Sequence, residues 1–406
     1  MVDSKSNPSL WKNKTFVKMF LSFTVTNLGD WIDYFAILLI FAYKWHASPF
    51  FMGILIVIYM GPGVLFGQIA GVLADRFNKL RLMITSDLVS GILTLLLIFA
   101  PSLLWATILL LIRSTLASQS DATQQALVRH VVDEELLLKA TTTNAIVFQL
   151  AKVVGPLIGA LIVTILNPQI CLLVNGISFF ASALILFSIR LPGKTISHRE
   201  DESQKSIVKG WQEGWKTVIT SRIIVIPMIT FLIGLFLVMV AEGQTVVLLR
   251  LEAPSNPSLL GQIMGISGVG SIIGIIFINM KKVIKYGWLI GSGAVLLGLG
   301  YLGLGLYKSD ISVIWLHLAA ILQGLGVGIV WATYNYLLQK ESSKHLIGRV
   351  MGINNSMQSA MQIIGPFLGG VFVTLLGVHH IFQSMGILVS VLGLAILTFQ
   401  KFLFAL

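Results

Sequence analysis

The chain passes from one long apolar stretch into the next with little room for loops, and that restricts it to a fold whose solvent is lipid. A bilayer core about 30 Å thick takes a helix of roughly 20 apolar residues. Twelve such stretches are legible, near 16–42, 51–73, 82–100, 102–125, 139–166, 168–190, 222–247, 258–280, 287–306, 312–338, 347–375 and 379–403. Hydrophobic residues make up 56% of the 406 and charged residues 11%, with a mean hydropathy of +0.88, more apolar surface than a water-soluble domain of this length could bury. The runs are continuous, whereas the strands of a membrane barrel alternate and are about 10 residues long. The expected fold is therefore an all-α membrane protein with twelve transmembrane helices, each satisfying its own backbone within the hydrocarbon.

Charge sets the orientation. Residues 1–15 are polar, carry Lys5, Lys12 and Lys14, and show no short apolar core followed by a small-residue cleavage site. With the amino terminus in the cytoplasm, 23 Lys and Arg fall on cytoplasmic loops and termini, against Lys44, Arg250 and Lys308 outside. That asymmetry follows the positive-inside rule. It also accounts for the net charge of +11 without a nucleic-acid partner. Cys171 is the sole cysteine, which excludes an internal disulfide and a cysteine metal cluster. Glycine-rich phosphate loops, His-Glu-x-x-His and serine-nucleophile elbows are absent, and His379-His380 falls on an outer loop with no carboxylate expected nearby. No enzyme, metal or cofactor is expected.

The polar stretch 191–221 divides the chain into six spans and six. The expected domains are an N-terminal bundle (1–190), a cytoplasmic linker (191–221) and a C-terminal bundle (222–406). Within the linker, Ile207, Trp211, Trp215 and Val218 recur at helical spacing among charges, as in a helix lying on the membrane surface; a solvated linker is the alternative. The halves repeat each other: Ala122-Thr123 with Ala332-Thr333, Asn144 with Asn354, and Gly155-Pro156-Leu-Ile-Gly159 with Gly365-Pro366-Phe-Leu-Gly369 share one offset without a gap. Parallel repeats of this kind place a substrate site near the bilayer midplane between the halves.

Ionisable residues inside spans are costly and point to function. Asp30 and Asp33, with Asn27 and Tyr34, form one polar stripe on the first span near mid-membrane. A carboxylate held out of water with a second one turn away is suited to carrying a proton. Arg113, central in the fourth span, could neutralise one of the two. In the fifth span Asn144, Phe148, Lys152, Gly155 and Gly159 share a face, so Lys152 is expected to point inward. Glu242, toward the outer side of the seventh span, is a second candidate for protons or cations, and Asp87 is expected to link to Arg76 or Arg81. Tyr334 and Asn335 are the best aromatic and amide candidates for a substrate pocket, because they occupy the repeat positions of Gln124 and Gln125.

The segment Gly71-x-x-x-Asp75-Arg76-x-Asn78-Lys79 resembles the loop between spans two and three of the major facilitator superfamily, which usually reads Gly-x-x-x-Asp-Arg-x-Gly-Arg-Arg. The resemblance implies a cytoplasmic gate built from Gly71, Asp75, Arg76, Lys79 and Arg81. Asn78 stands in the glycine position and is expected to tolerate a left-handed backbone there. The second half carries Lys281-Lys282 in place of the acidic turn, so the gate is expected on one side only. Ala151-Lys-Val-Val-Gly155-Pro156-Leu-Ile-Gly159-Ala160 resembles the fifth-span motif of proton-coupled exporters, with alanines for its first and last glycines. Gly155, Pro156, Gly159, Gly365 and Pro366 are accordingly expected to bend and pack their helices. Leu109-Leu-Leu-Ile-Arg113 resembles the span-four motif whose arginine is tied to proton transfer, although its Gln-Gly appears only in the second half, as Gln323-Gly324. Leu28-Gly29-Asp30-Trp31, Ser86-Asp87-Leu88 and Phe148-Gln149-Leu150-Ala151-Lys152 resemble the macrolide-efflux and siderophore-exporter branch.

The resemblance implies proton-coupled efflux of amphipathic small molecules (a macrolide-like drug, a siderophore or a peptide antibiotic) by alternating access. It implies a monomer in a bacterial plasma membrane with both termini cytoplasmic, a small-molecule substrate, lipid around it, and the proton gradient as energy source. A lysophospholipid transporter and a transporter-shaped sensor that moves nothing are the alternatives.

Overall fold

The computed structural model describes residues 10–76, 78–189, 215, 219–280, 285–342 and 347–403, apart from the side chains of 64–76, 121, 122, 138, 348, 349 and 401–403. Among the described residues the chain forms α-helices and no strand. They are α1 (Lys14–Leu39), α2 (Pro49–Arg76), α3 (Lys79–Ile98), α4 (Leu103–Val131), α5 (Glu134–Ile165), α6 (Pro168–Phe187), α7 (Arg222–Glu242), α8 (Thr245–Glu252), α9 (Leu259–Asn279), α10 (Tyr286–Leu306), α11 (Val313–Glu341), α12 (Ile347–Leu376) and α13 (Val378–Leu403). Eleven runs among the described residues are long and apolar enough to cross a membrane; α2, apolar over Pro49–Gly63 and 28 residues in all, supplies the twelfth. The expected interfacial helix lies outside the described residues except for Trp215.

Local chemistry explains where the helices begin. Asn13, Asn78, Ser102, Asn167 and Ser312 each cap a helix by accepting a hydrogen bond from a first-turn N–H, which satisfies a donor that has no carbonyl partner. Pro168 follows its cap at the first helical position, where its missing N–H costs nothing. Gly377, at φ +85°, makes the turn between α12 and α13 in the left-handed conformation that favours glycine. The seventh span is not continuous: α7 stops at Glu242, and Gly243–Gln244 turn before α8 begins. The close seat of Gly243 explains the break, since a Cβ there would meet Ile56 at 2.6 Å and Pro366 at 3.1 Å. A further irregularity ends α1, where Ile40–Lys44 winds as a π-helical turn, Trp45 N–H bonding Ile40 O at 3.1 Å.

The chain divides into two compact units, Met1–Ala47 with Ile58–Ser197, and Ser48–Val57 with His198–Leu406. The sequence grouped 48–57 with the first bundle; in the structure Gly53 seats on Pro366 O (2.5 Å from an added Cβ) and Gly370 on Pro49 O (2.7 Å), so the start of α2 packs on α12.

Within each unit the Gly-Pro helix closes on the unit's own first helix. An added Cβ would meet the Trp31 Cβ at 2.5 Å from Gly155 and the Met239 Cβ at 2.5 Å from Gly365; one from Gly369 would come 2.1 Å from Val240 O. Small residues let backbones approach where lipid gives no hydrophobic drive between helices.

Candidate functional site

The first unit gathers its buried charges at one point. Asp33 on α1 is fully buried and forms an ion pair with Arg113 on α4, itself 3% exposed. Removing either partner would strand a charge in low dielectric, so such pairs persist only when hydrogen bonds satisfy what remains. Arg113 Nη1 also donates to Thr94 Oγ1 on α3 at 3.2 Å, and Nη2 donates to the Tyr59 hydroxyl on α2. Asn175 on α6 donates to Asp33 Oδ2 at 2.8 Å and to Asp30 Oδ1 at 3.1 Å. Five helices thus converge on two carboxylates and a guanidinium. Among the described residues, Asp33 Oδ1 has no hydrogen-bond partner.

An aromatic fringe adjoins the cluster. Tyr34 lies edge-on to Tyr59, with centroids 5.1 Å apart, and to Trp31 at 5.6 Å; Trp31 meets Phe148 at 6.0 Å. The Arg113 guanidinium lies 5.4 Å from the Tyr59 ring and Lys152 Nζ lies 5.6 Å from the Trp31 ring, both at cation–π range. Lys152 is exposed, as is Phe148, and Asn27 bonds back to Phe23 O at 2.8 Å. Asn144, on the same helix as Phe148 and Lys152, keeps a buried Oδ1 without a partner.

The second unit holds an acid of its own at the end of α7. Glu242 accepts from the Tyr301 hydroxyl on α10 and from Gln323 Nε2 on α11 at 3.1 Å. These partners are repeat equivalents of the first cluster. Gln323 stands at the offset position of Arg113. Gly91 seats on Gly176 O (3.3 Å from an added Cβ) and Gly298 on Gly386 O (2.5 Å), which makes Thr94 and Tyr301, three residues on, counterparts as well. Each unit therefore holds an acid from its first helix with groups from its third and fourth. The first supplies a cation at the fourth; the second supplies a neutral amide.

The structure places the remaining sequence-predicted residues, some of them elsewhere than expected. Tyr334, expected on a substrate pocket, is fully buried, stacked on Phe231 with centroids 3.9 Å apart, and donates to Asn354 Oδ1 at 2.6 Å; it is a core residue of the second unit. Asn335 bonds back to Trp331 O at 2.9 Å. Asn78 is not left-handed: at φ −65° and ψ 109° it is the cap of α3, accepting from Arg81 N–H at 3.1 Å, because an Asn side chain supplies the acceptor that glycine lacks. His379 does have a carboxylate beside it, Glu252 Oε1 at 2.8 Å, brought from the end of α8 to the start of α13. Gly71, Asp75 and Arg76 lie on the last turns of α2, with side chains outside the described residues; Lys79 opens α3 and Arg81 is exposed. Asp87 is buried and accepts from Ser182 Oγ at 2.6 Å, while Ser182 is 2.6 Å from Ser22 Oγ. Ser182 spends its proton on Asp87, so Ser22 is the donor in the second bond, and α1, α3 and α6 are tied in one chain.

Tyr59, Thr94 and Asn175 were missed by sequence reasoning. The signal that could have found Asn175 is the polar row Asn175, Ser178 and Ser182 on one face of an otherwise apolar helix.

The family model of the Major Facilitator Superfamily matches residues 19–366, with a second match over 289–402. The uncharacterized MFS-type transporter YfiS of Bacillus subtilis (strain 168) is 24% identical over 397 residues, covering 97% of this chain and 95% of its own. Macrolide efflux protein A of Streptococcus pyogenes is 22% identical over 337 residues, covering 81% and 82%. Among solved structures, a POT family transporter in complex with 5-aminolevulinic acid superposes with a TM-score of 0.71 at 16% identity over 96% of both chains, a likeness of fold.

Proposed function

Since the chain belongs to the Major Facilitator Superfamily and is a multi-pass membrane transporter rather than an enzyme, we propose that it is a proton-coupled exporter of amphipathic small molecules working by alternating access. The observation that carries this reading is the buried Asp33–Arg113 ion pair inside membrane spans, with Asp30 one turn away and half-buried. A proton that neutralises Asp33 cancels its attraction for Arg113 and leaves the guanidinium, among the described hydrogen-bond partners, to Tyr59 and Thr94. Such a change in a low-dielectric site is large enough to bias two arrangements of the helices it joins. Glu242, held by two neutral donors, is a second acid for the same cycle. The aromatic fringe of Trp31, Tyr34 and Phe148 beside Lys152 suits an amphipathic solute with a flat or ring-bearing part.

Efflux in preference to uptake is supported by the similarity to macrolide efflux protein A and by the Gly155-Pro156 helix closed against α1. The proton gradient is the energy source, the protein works as a monomer in the plasma membrane with both termini cytoplasmic, and the cytoplasmic turn at Asp75-Arg76 acts as the gate. The test is transport in proteoliposomes under an imposed pH gradient, with a drug panel that includes a macrolide. Gradient-driven transport by wild type that Asp33→Asn abolishes supports the reading; transport by Asp33→Asn and Asp30→Asn at the wild-type rate overturns it.

A further inference from the structure

Asn175 bridges the two acids of α1. Its Nδ2 serves two carboxylates at once, Asp30 Oδ1 at 3.1 Å and Asp33 Oδ2 at 2.8 Å. Its Oδ1 accepts from Ser178 Oγ at 2.9 Å, which keeps the NH2 end toward the acids. The approach of α6 to α1 at this level depends on Gly29, where an added Cβ would lie 2.4 Å from Asn175 Oδ1 and 2.3 Å from Ser178 Oγ. Asn175 is itself fully buried, so water does not compete for its hydrogens. The two acids differ in access: Asp30 is half-buried and Asp33 is sealed. Among the described residues, the titratable and charged groups that face them include Arg113 from α4, Tyr59 from α2, Tyr34 from α1 itself and Cys171 from α6, with Lys152 from α5 over the neighbouring Trp31 ring.

Two like charges one turn apart repel and compete for any neutralising proton. The amide's two hydrogens reach both carboxylates, and each bonds an ionised oxygen better than a protonated one, so a proton on one acid draws the amide toward the other and links the two titrations. We propose that Asn175 is the positioning residue that makes Asp30 and Asp33 hold one proton between them, its amide following whichever carboxylate is ionised. With the proton on Asp30, the amide and Arg113 both hold Asp33. With the proton on Asp33, the unpartnered Oδ1 is the oxygen open to receive it, the amide's bond to Asp30 becomes the stronger of its two, and Arg113 loses its ionic partner. Only a proton, supplied by water at Asp30, changes place in this exchange. The half-exposed acid is thus the entry, the sealed acid is the switch, and Asn175 is the link between them.

The significance for transport rests on the proton-coupled reading above; the test does not. Infrared difference spectra of the full-length protein in lipid, recorded across pH, follow the carboxylic acid C=O stretch, and the band lost in Asp33→Asn belongs to Asp33. With Asn175 present, Asp30→Asn is expected to move the midpoint of that band by about one pH unit or more, the signature of interacting sites. In an Asn175→Leu background, which keeps the bulk without the amide, the same change is expected to move it by less than half as much. Asn175→Ser serves the same purpose if the leucine variant does not fold. Equal displacement in both backgrounds overturns the proposal, as does an Asp33 band that does not titrate. A wild-type protein with coupled carboxyls whose transport ignores a pH gradient refutes proton coupling and leaves the bridge standing.

Discussion

Arg113 and Gln323 stand at the same register of the internal repeat, and each reaches the acid on the first helix of its own unit, yet only Arg113 brings a charge to it. The first acid is therefore balanced from within, whereas the second rests on neutral donors among the described residues.

Arg113→Gln makes the first cluster resemble the second. An ionised Asp33 without its partner would cost about 3–5 kcal/mol, so the variant is expected to fold with that carboxyl protonated. Gradient-driven transport in proteoliposomes should fall by roughly tenfold or more, equivalent to about 1.4 kcal/mol in the barrier. The double variant Arg113→Gln with Asp33→Asn should melt at a higher temperature than Arg113→Leu alone, which strands the carboxylate among apolar groups; equal melting would argue against a stability role for the ion pair.

Glycine size is the second point of attack. Gly155→Val and Gly365→Val drive a branched side chain into Trp31 and Met239, each 2.5 Å from an added Cβ. Overpacking of this kind costs about 1–3 kcal/mol. Gly63, with nothing within 4 Å of an added Cβ, is the comparison: Gly63→Ala should be neutral or slightly stabilising. Thermal unfolding in one detergent ranks the three, and a Gly63→Ala as damaging as the others would contradict the packing account.

Tyr334→Phe should alter stability and leave the range of transported drugs as it is. The loss is one buried hydrogen bond to Asn354, whose Nδ2 already has no partner, at a cost of about 1–3 kcal/mol. A changed resistance profile at unchanged expression would return Tyr334 to the substrate site.

Glu252→Ala removes two bonds from the turn region of the second unit, to His379 Nε2 at 2.8 Å and from Ser309 N–H at 2.9 Å. Both groups are partly exposed, so the expected loss is only about 1 kcal/mol, seen as faster hydrogen exchange in 307–312 and at the start of α13. Unaltered exchange there would mean the pair holds nothing in place.

What was legible in the sequence is what lipid makes expensive. Asp30, Asp33 and Arg113 stand out because a charge in an apolar run is rare, and the structure brings them to one point. The helices follow from the same cost, with apolar length announcing each span. Tyr59 and Thr94 were not legible, since neutral polar side chains occur throughout such spans and only the packing of α2 and α3 around Arg113 reveals their use; for Asn175 the polar row on α6 marked the face but not the partners. Tyr334 misled for the opposite reason: the repeat register says where on a helix a residue stands, not whether that face meets solvent or another ring. The break after Glu242 was hidden too, because Gly243-Gln244 sits in a hydropathic run that continues on either side.

The π-helical turn at Ile40–Lys44 closes α1 with a wider ring than the rest of the helix. One residue more than an α-helix needs has been taken into that last turn, and the chain leaves the helix at Trp45. Asp30 and Asp33 lie in the regular part of the helix, and Tyr43 lies in the widened turn. Insertions and deletions in Ile40–Lys44 would therefore change where the chain leaves the helix without disturbing the aspartates, so the acidic stretch and the exit from the span are free to diverge separately.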